Sequence, residues 1–286
     1  MRTTELFHDK TAFSFEIFPP KRTAPVETIY ETLEDLKDLA PDFISVTYGA
    51  GGSENSNQTF RIASEIKHNY GIESVAHLPC IGLTKESVRG KLSDLKRLGI
   101  DNILALRGDL PEHFVNSGEF QYACDLIAFI RDCGDFNILA ACYPEGHIEC
   151  QNRADDIRHL KQKMDAGANH LISQLFFDNG YFYSFLECCH AAGINVPVEA
   201  GIMPVVHKKQ IERMASLCGA TVPKKFAAMM DKYGDHPIAM RDAGIAYAID
   251  QIVDLIAQGV DGIHLYTMNQ PYIARKIYEA VHSLML

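Results

Sequence analysis

The sequence predicts an α/β protein folded as a closed (β/α)8 barrel. Eight short apolar runs alternate with longer amphipathic stretches from one end of the chain to the other. Most of these runs are nearly continuous in Ile, Val, Leu and Phe, as parallel strands covered on both faces require. The length, 286 residues, suits one barrel of about 250 residues with an insertion.

Strands are expected near residues 12–18, 43–48, 74–80, 102–107, 137–143, 170–176, 197–203 and 262–267. In the first, FSFEIFPP, alternation sets Ser14, Glu16 and Phe18 on one side and Phe13, Phe15 and Ile17 on the other. ETIYETLEDLKDLA then places Ile29, Leu33, Leu36 and Leu39 on one helix face. The second strand, FISVTYGA, carries Thr47 and Tyr48, and the third, VAHLPC, carries His77. ESVRGKLSDLKRLG aligns Val88, Leu92, Leu95 and Leu98 and stops at Gly99, a helix-end glycine. The fourth run ends in Arg107, Gly108 and Asp109, and the fifth in Tyr143, Glu145 and His147. In the helix that follows, Asp156, His159 or Leu160, and Lys163 share a face, read alone as a solvated one. KQKMDAGANHLISQ passes from helix to strand through Gly167, and the sixth run carries Gln174. Residues 204–258 must hold more than one helix before the last strand, GIHLYTMN, which ends in Thr267 and Asn269.

No linker or composition break divides the chain, so residues 1–286 are expected to form a single domain with TIM-barrel architecture. The rival is a doubly wound open sheet, which would normally carry GxGxxG after a strand. The only glycine-rich loop, GAGG at 49–52, lacks that pattern.

Composition narrows the function classes. The formal net charge of −10, with no basic stripe, argues against nucleic acid and anionic membrane as partners. No run approaches the ~18 uninterrupted apolar residues of a membrane span, and MRTTELFHDK lacks the apolar stretch of a signal peptide. A cytoplasmic protein is expected. The eight cysteines include no CxxC pair and are expected to be free, buried thiols.

Burying a polar group without a partner costs roughly 1–3 kcal/mol. Polar residues at the ends of successive strands therefore point to one shared site, at the mouth where such barrels hold their ligands. Glu16, desolvated among phenylalanines, is expected to have a raised pKa and to serve as a general acid, or else to be paired with a cation. Asp109 is a candidate site residue or a loop cap, and Arg107 could hold a phosphate or carboxylate. Gly108 could let the backbone approach a ligand closely. His77, Asp109, Glu145 and His147 could be imagined as metal ligands, yet the HExxH spacing is absent and no metal is expected. No lysine lies in the apolar part of a strand, where a Schiff-base enzyme would need one, and no GxSxG or P-loop occurs.

FSFEIFPP, SVTYGAGGS, AHLPC, LALRGDLP, YPEGH, the MDAGANHLISQLFFD segment, GIMPV and HLYTMN, in this order, resemble the methylenetetrahydrofolate reductase family. The likeness spans nearly the whole chain and corresponds to the bacterial catalytic barrel alone. It implies a flavoprotein that uses FAD to pass a hydride from NADH or NADPH to 5,10-methylenetetrahydrofolate, giving 5-methyltetrahydrofolate, with ping-pong kinetics. By the same resemblance Glu16 is the catalytic acid, and Asp109 is a catalytic residue that tunes the flavin. Thr47, Tyr48, Ala50, His77, Arg107, Gly108, Asp109, Ala123, Tyr143, His147, Asp156, His159, Gln162 and Lys163 fall at FAD-binding positions. Glu16, Thr47, Gln174, Gln210, Met214 and Gln270 fall at positions for the folate or nicotinamide.

Four of these positions depart from the family's pattern. His159 stands where Asn is common, Gln162 where a basic residue is common, Met214 where Phe is common, and Gln270 where an arginine follows the last strand. Arg275, one turn later, is the candidate to compensate for Gln270. The resemblance also implies a homo-oligomer, and in some bacterial members a partner subunit. Two alternatives stay open: a metal-assisted barrel hydrolase or lyase, and a non-catalytic flavin- or folate-binding subunit.

Overall fold

The computed structural model describes residues 1–8, 10–20, 25, 27–48, 53–108 and 118–285, without the side chains of 53–57. Ala50 and Asp109 lie outside the described residues. Eight parallel strands close in chain order: β1 (Ala12–Ile17), β2 (Phe43–Val46), β3 (Glu73–Pro79), β4 (Asn102–Leu106), β5 (Asn137–Cys142), β6 (His170–Ser173), β7 (Val198–Ile202) and β8 (Gly262–Tyr266). Between them run α1 (Glu27–Lys37), α2 (Ser53–Asn69), α3 (Lys85–Arg97), α4 (Ala123–Cys133), α5 (Arg153–Ala166) and α6 (Asn179–Ala191). The long insertion before β8 holds α7 (Lys208–Cys218), α8 (Lys224–Tyr233) and α9 (Pro237–Ala257), and α10 (Pro271–Val281) follows the last strand.

The expected closed barrel is observed, and the strands differ from expectation mainly at their ends. The largest difference is β6, which stops at Ser173 rather than near 176. Leu175 and Phe177 leave the sheet to pack in a second apolar cluster with Met203, Val205, Phe226 and Met240, which anchors α7 to α9.

Burial follows the predicted alternation. Phe13, Phe15 and Ile17 pack outward among Ile29, Leu33 and Leu36 of α1 and the other helices. Inside the barrel, Phe43, Val75, Leu104, Leu139 and Ile172 form an apolar layer. The remaining interior is polar: Ser14, Ser45, His170, Glu199 and His264 are fully buried there. The register sets Ser14 beside His264, Glu16 beside Ser45 and Tyr266, and Glu199 beside Gly262. A short 3-10 turn, Thr3–Leu6, lies at the amino end of the strands, where Thr3 N donates to Asn102 Oδ1 (3.0 Å). None of the eight cysteines is in a disulfide; Cys80, Cys142 and Cys189 are buried, whereas Cys133 is exposed, contrary to the expectation of uniformly buried thiols. Among the described residues no helix is long and apolar enough to cross a membrane.

Candidate active site

Glu16 stands near the carboxyl end of β1 with its side chain about one-fifth exposed, the least shielded member of the polar interior. Two histidines approach the same oxygen, Oε2: His77 Nε2 from β3 at 3.5 Å and His264 Nε2 from β8 at 3.7 Å. Burial pushes the His77 imidazole down to about 4, against the opposing pull of the Glu16 carboxylate. His77 is therefore neutral at pH 7 and places no positive charge beside Glu16. Its Nε2 has no hydrogen-bond partner among the described residues. The other expectation for Glu16, pairing with a cation, is not met by any Lys or Arg among the described residues.

Tyr266, at the end of β8, reaches over β7, and its hydroxyl donates to Ser173 O (2.6 Å). Gly201 makes this crossing possible, because a Cβ there would lie 2.2 Å from Ser173 O and 2.7 Å from the Tyr266 hydroxyl. Burial first, and then the nearby Glu16 charge, push the Tyr266 phenol well above its usual range, so it stays a donor.

Not every polar residue at the strand ends serves the mouth directly. Thr267 Oγ1 donates to Glu16 O (2.7 Å). Asn269 binds both backbone groups of Phe18, accepting from its N–H (3.1 Å) and donating to its carbonyl (2.8 Å). These two residues tie β8 to the exit of β1 and fix the strand that carries Glu16. Glu145 likewise has a structural partner, accepting from Thr221 N with both oxygens at 3.0 Å.

A cavity of about 310 Å³ opens at the carboxyl ends of β4 and β5, lined by Arg107, Ala123, Tyr143, His147, Asp156, His159, Gln162 and Lys163, with Cys124, Glu149 and Cys150 among others. Eight residues expected to share one ligand are thus brought together, and the face of α5 read alone as solvated instead lines this cavity. Lys163 is a half-buried cation of this cavity. Its Nζ donates to Ala141 O (2.8 Å) and sits 5.7 Å from the centre of the Tyr143 ring, and burial lowers its pKa. The Tyr143 and His147 rings meet edge to face at 4.7 Å. Burial raises the Tyr143 phenol and lowers the His147 imidazole. Arg107 forks onto Glu149 through two bonds of 2.5 and 2.7 Å. Gly108 has φ +91°, where a side chain would be strained, and packs against Pro79 and Ile81. Two cations that donate, the carboxylate of Asp156 that accepts, and small Ala123 that leaves room form a lining suited to phosphates and ribose hydroxyls.

Thr47 and Tyr48 lie at the exit of β2. Thr47 N donates to Ile17 O (3.0 Å), and the Tyr48 hydroxyl is buried with no hydrogen-bond partner among the described residues, a group a ligand can satisfy. Gln174 follows β6, its amide oxygen accepting from Leu175 N (2.9 Å). Gln210 and Met214 are half-buried one turn apart on α7, and Gln270 caps α10. Arg275 does not compensate for Gln270: its guanidinium donates to Asp35 O on α1, joining two outer helices. Among the described residues no three His, Cys, Asp or Glu side chains converge as a metal site. Sequence reading missed His264, although a histidine inside GIHLY carries the same signal that marked Glu16 and His77.

The chain matches the family model described as methylenetetrahydrofolate reductase over residues 2–282. It is 38% identical over 272 residues to the 5,10-methylenetetrahydrofolate reductase of Escherichia coli K12, covering 95% of this chain and 90% of that one. Identity to the Pectobacterium carotovorum protein of the same name is 37% over 271 residues, covering 95% and 89%. It is also 38% identical to Arabidopsis thaliana methylenetetrahydrofolate reductase (NADH) 1, covering 91% of this chain but 46% of the longer plant protein. Among solved structures, an uncharacterized Clostridium thermocellum protein that binds two copies of 5-methyl-5,6,7,8-tetrahydrofolic acid superposes with a TM-score of 0.64. That match covers 98% of this chain and 97% of the other at 14% identity, a likeness of fold alone. With a family match over nearly its full length and close relatives of one activity, the chain belongs to the methylenetetrahydrofolate reductase family of enzymes.

Proposed function

We propose that the protein reduces 5,10-methylenetetrahydrofolate to 5-methyltetrahydrofolate, with NADH or NADPH as electron donor, FAD as carrier and Glu16 as general acid. The observation that carries the reading is the carboxyl of Glu16 at the barrel mouth, facing a neutral histidine and served by no Lys or Arg among the described residues. Opening the five-membered ring of the substrate requires a proton on the departing ring nitrogen. Glu16 is the group that delivers it, leaving a 5-iminium carbon to be reduced. FAD, when bound, supplies the two-electron transfer between nicotinamide and folate.

The residues in the cavity fit that cofactor. Lys163 and Arg107 would hold the pyrophosphate, and Asp156 would accept ribose hydroxyls. Small Ala123 leaves the amino end of α4 open to close approach. His159 and Gln162 stand in the same cavity and would contact the adenosine side. Thr47 and Tyr48 would border the reacting ring, with Gln174, Gln210, Met214 and Gln270 about the folate and nicotinamide. Asp109, outside the described residues, keeps its proposed role through the resemblance alone. Since nicotinamide and folate would use one face in turn, ping-pong kinetics are expected.

An anaerobic visible spectrum tests the proposal. The purified protein should be yellow, bleach on adding NADH or NADPH, and regain its colour on adding methylenetetrahydrofolate. A colourless protein whose activity is lost to a chelator would favour the metal-assisted alternative. Colour without turnover would favour a binding subunit.

A further inference from the structure

Below Glu16 a file of buried polar side chains descends through the barrel. Ser14 Oγ lies 2.6 Å from His264 Nδ1 and donates to Glu199 Oε1 at 2.8 Å. His170 Nε2 lies 3.0 Å from Glu199 Oε2, within ion-pair range although out of line for a good hydrogen bond. His170 Nδ1 lies 2.9 Å from Thr3 Oγ1, which accepts from Asn137 Nδ2 at 2.8 Å. Ser14, His170, Glu199 and His264 are all fully buried, so each hydrogen must be placed within the file.

The donor count fixes the direction of the bonds. A hydroxyl has one proton. With Glu199 taken as the carboxylate, the Ser14 proton goes to it at 2.8 Å, in preference to the carbonyl of Ile263 at 3.5 Å. Ser14 Oγ must then accept from His264, which puts that ring's proton on Nδ1. In the neutral ring Nε2 carries no proton, so Ser45 Oγ at 3.3 Å donates to it, and the same nitrogen stands 3.7 Å from Glu16 Oε2. At the other end Thr3, already accepting from Asn137, can donate to His170 Nδ1, which leaves the His170 proton on Nε2, toward Glu199. The groups facing Glu199 are thus Ser14 and His170, with Gly262 giving it room. Those facing Glu16 are His77, His264 and the phenol of Tyr266.

We propose that Glu199 is a positioning residue for the acid: through Ser14 it holds His264 in the Nδ1–H tautomer and so presents a bare nitrogen, not an N–H, to Glu16. At 3.7 Å the two groups act on each other through their charges and not through a hydrogen bond: the negative end of a bare nitrogen disfavours the carboxylate, whereas an N–H would favour it. The carboxyl proton that the substrate nitrogen needs is thereby kept on Glu16. This inference rests on the acid role proposed for Glu16, but the tautomer itself can be read without substrate or cofactor.

The experiment is 15N NMR of protein labelled in histidine, with His264 assigned by its loss in His264→Asn. The expected wild-type pattern is a protonated Nδ1 and a bare Nε2. Glu199→Gln and Ser14→Ala should both populate the Nε2–H tautomer, and Ser14→Thr, which keeps the hydroxyl, should not. If Glu199→Gln fails to fold, Ser14→Ala and Ser14→Thr carry the comparison. In the same variants the pH above which folate reduction declines should fall by on the order of one unit, with nicotinamide oxidation by the flavin unchanged. A wild-type Nε2–H tautomer, or one unmoved by Ser14→Ala, overturns the proposal. A tautomer that moves while the pH profile does not overturns the link to Glu16. An active Glu16→Gln protein would instead refute the acid role and leave the tautomer result standing.

Discussion

His77 Nε2 lies 3.5 Å from Glu16 Oε2, and the histidine is neutral at pH 7 because burial outweighs the attraction of the carboxylate. The contact therefore shapes the site without forming an ion pair. It also has a consequence for stability. An unfolded histidine titrates near about 6.5, whereas His77 in the fold titrates at about 4. As pH falls through this window the unfolded chain gains a proton that the folded chain refuses. His77 then costs about 3 kcal/mol of stability. The contribution is intact above pH 6.5 and lost by pH 4. Urea unfolding of wild type and His77→Gln across this range should show a shallower acid decline in the variant; parallel curves would contradict the assignment.

Lys163 is the half-buried lysine of the cavity. Lys163→Met keeps the aliphatic stem and removes the charge, so FAD affinity should fall about tenfold or more. Fluorescence titration of the apoprotein measures it. An unchanged affinity in a variant of wild-type thermal stability would remove Lys163 from the cofactor site.

Glu149 occupies the fork of Arg107. If Arg107 serves the pyrophosphate, the two anions compete for one guanidinium. Glu149→Gln should then tighten FAD binding by about threefold or more at low salt, with the gain shrinking as salt rises. Weaker binding would mean that Glu149 positions Arg107 for the ligand.

Gly201→Ala would force a methyl to within 2.2 Å of Ser173 O, a backbone atom with little freedom to move. A loss of about 1–3 kcal/mol is expected in chemical denaturation, together with displacement of Tyr266 from Ser173. A neutral effect would show that β6 and β7 can separate cheaply.

Much of this was legible in the sequence, and the reasons differ by element. Apolar runs rich in Ile, Val, Leu or Phe, most of them nearly continuous, mark the eight strands, because parallel strands are covered on both faces. Strand alternation puts Glu16 and Ser14 on one side of β1, and the structure makes that side the interior. Alternation says nothing about which residues of different strands meet. Only the register sets Ser14 beside His264 and brings Glu199 and His170 into line beneath them, so the buried file went unread although each member interrupts an apolar run. Thr267 and Asn269 stand out in the sequence as polar groups at a strand end, but their partners are the backbone of Glu16 and Phe18. Arg275 was a candidate by sequence distance alone, and the helix turns it toward α1.

The claim on which the mechanism depends is that Glu16 gives its proton to the folate and takes no part in the nicotinamide step. Stopped-flow spectra of Glu16→Gln, recorded anaerobically for the two half-reactions separately, test it most directly. Flavin bleaching by NADH should stay within about threefold of wild type, while recovery of colour on adding methylenetetrahydrofolate should slow by about 100-fold or more. Recovery at the wild-type rate, or an equal loss in both half-reactions, would contradict the acid role.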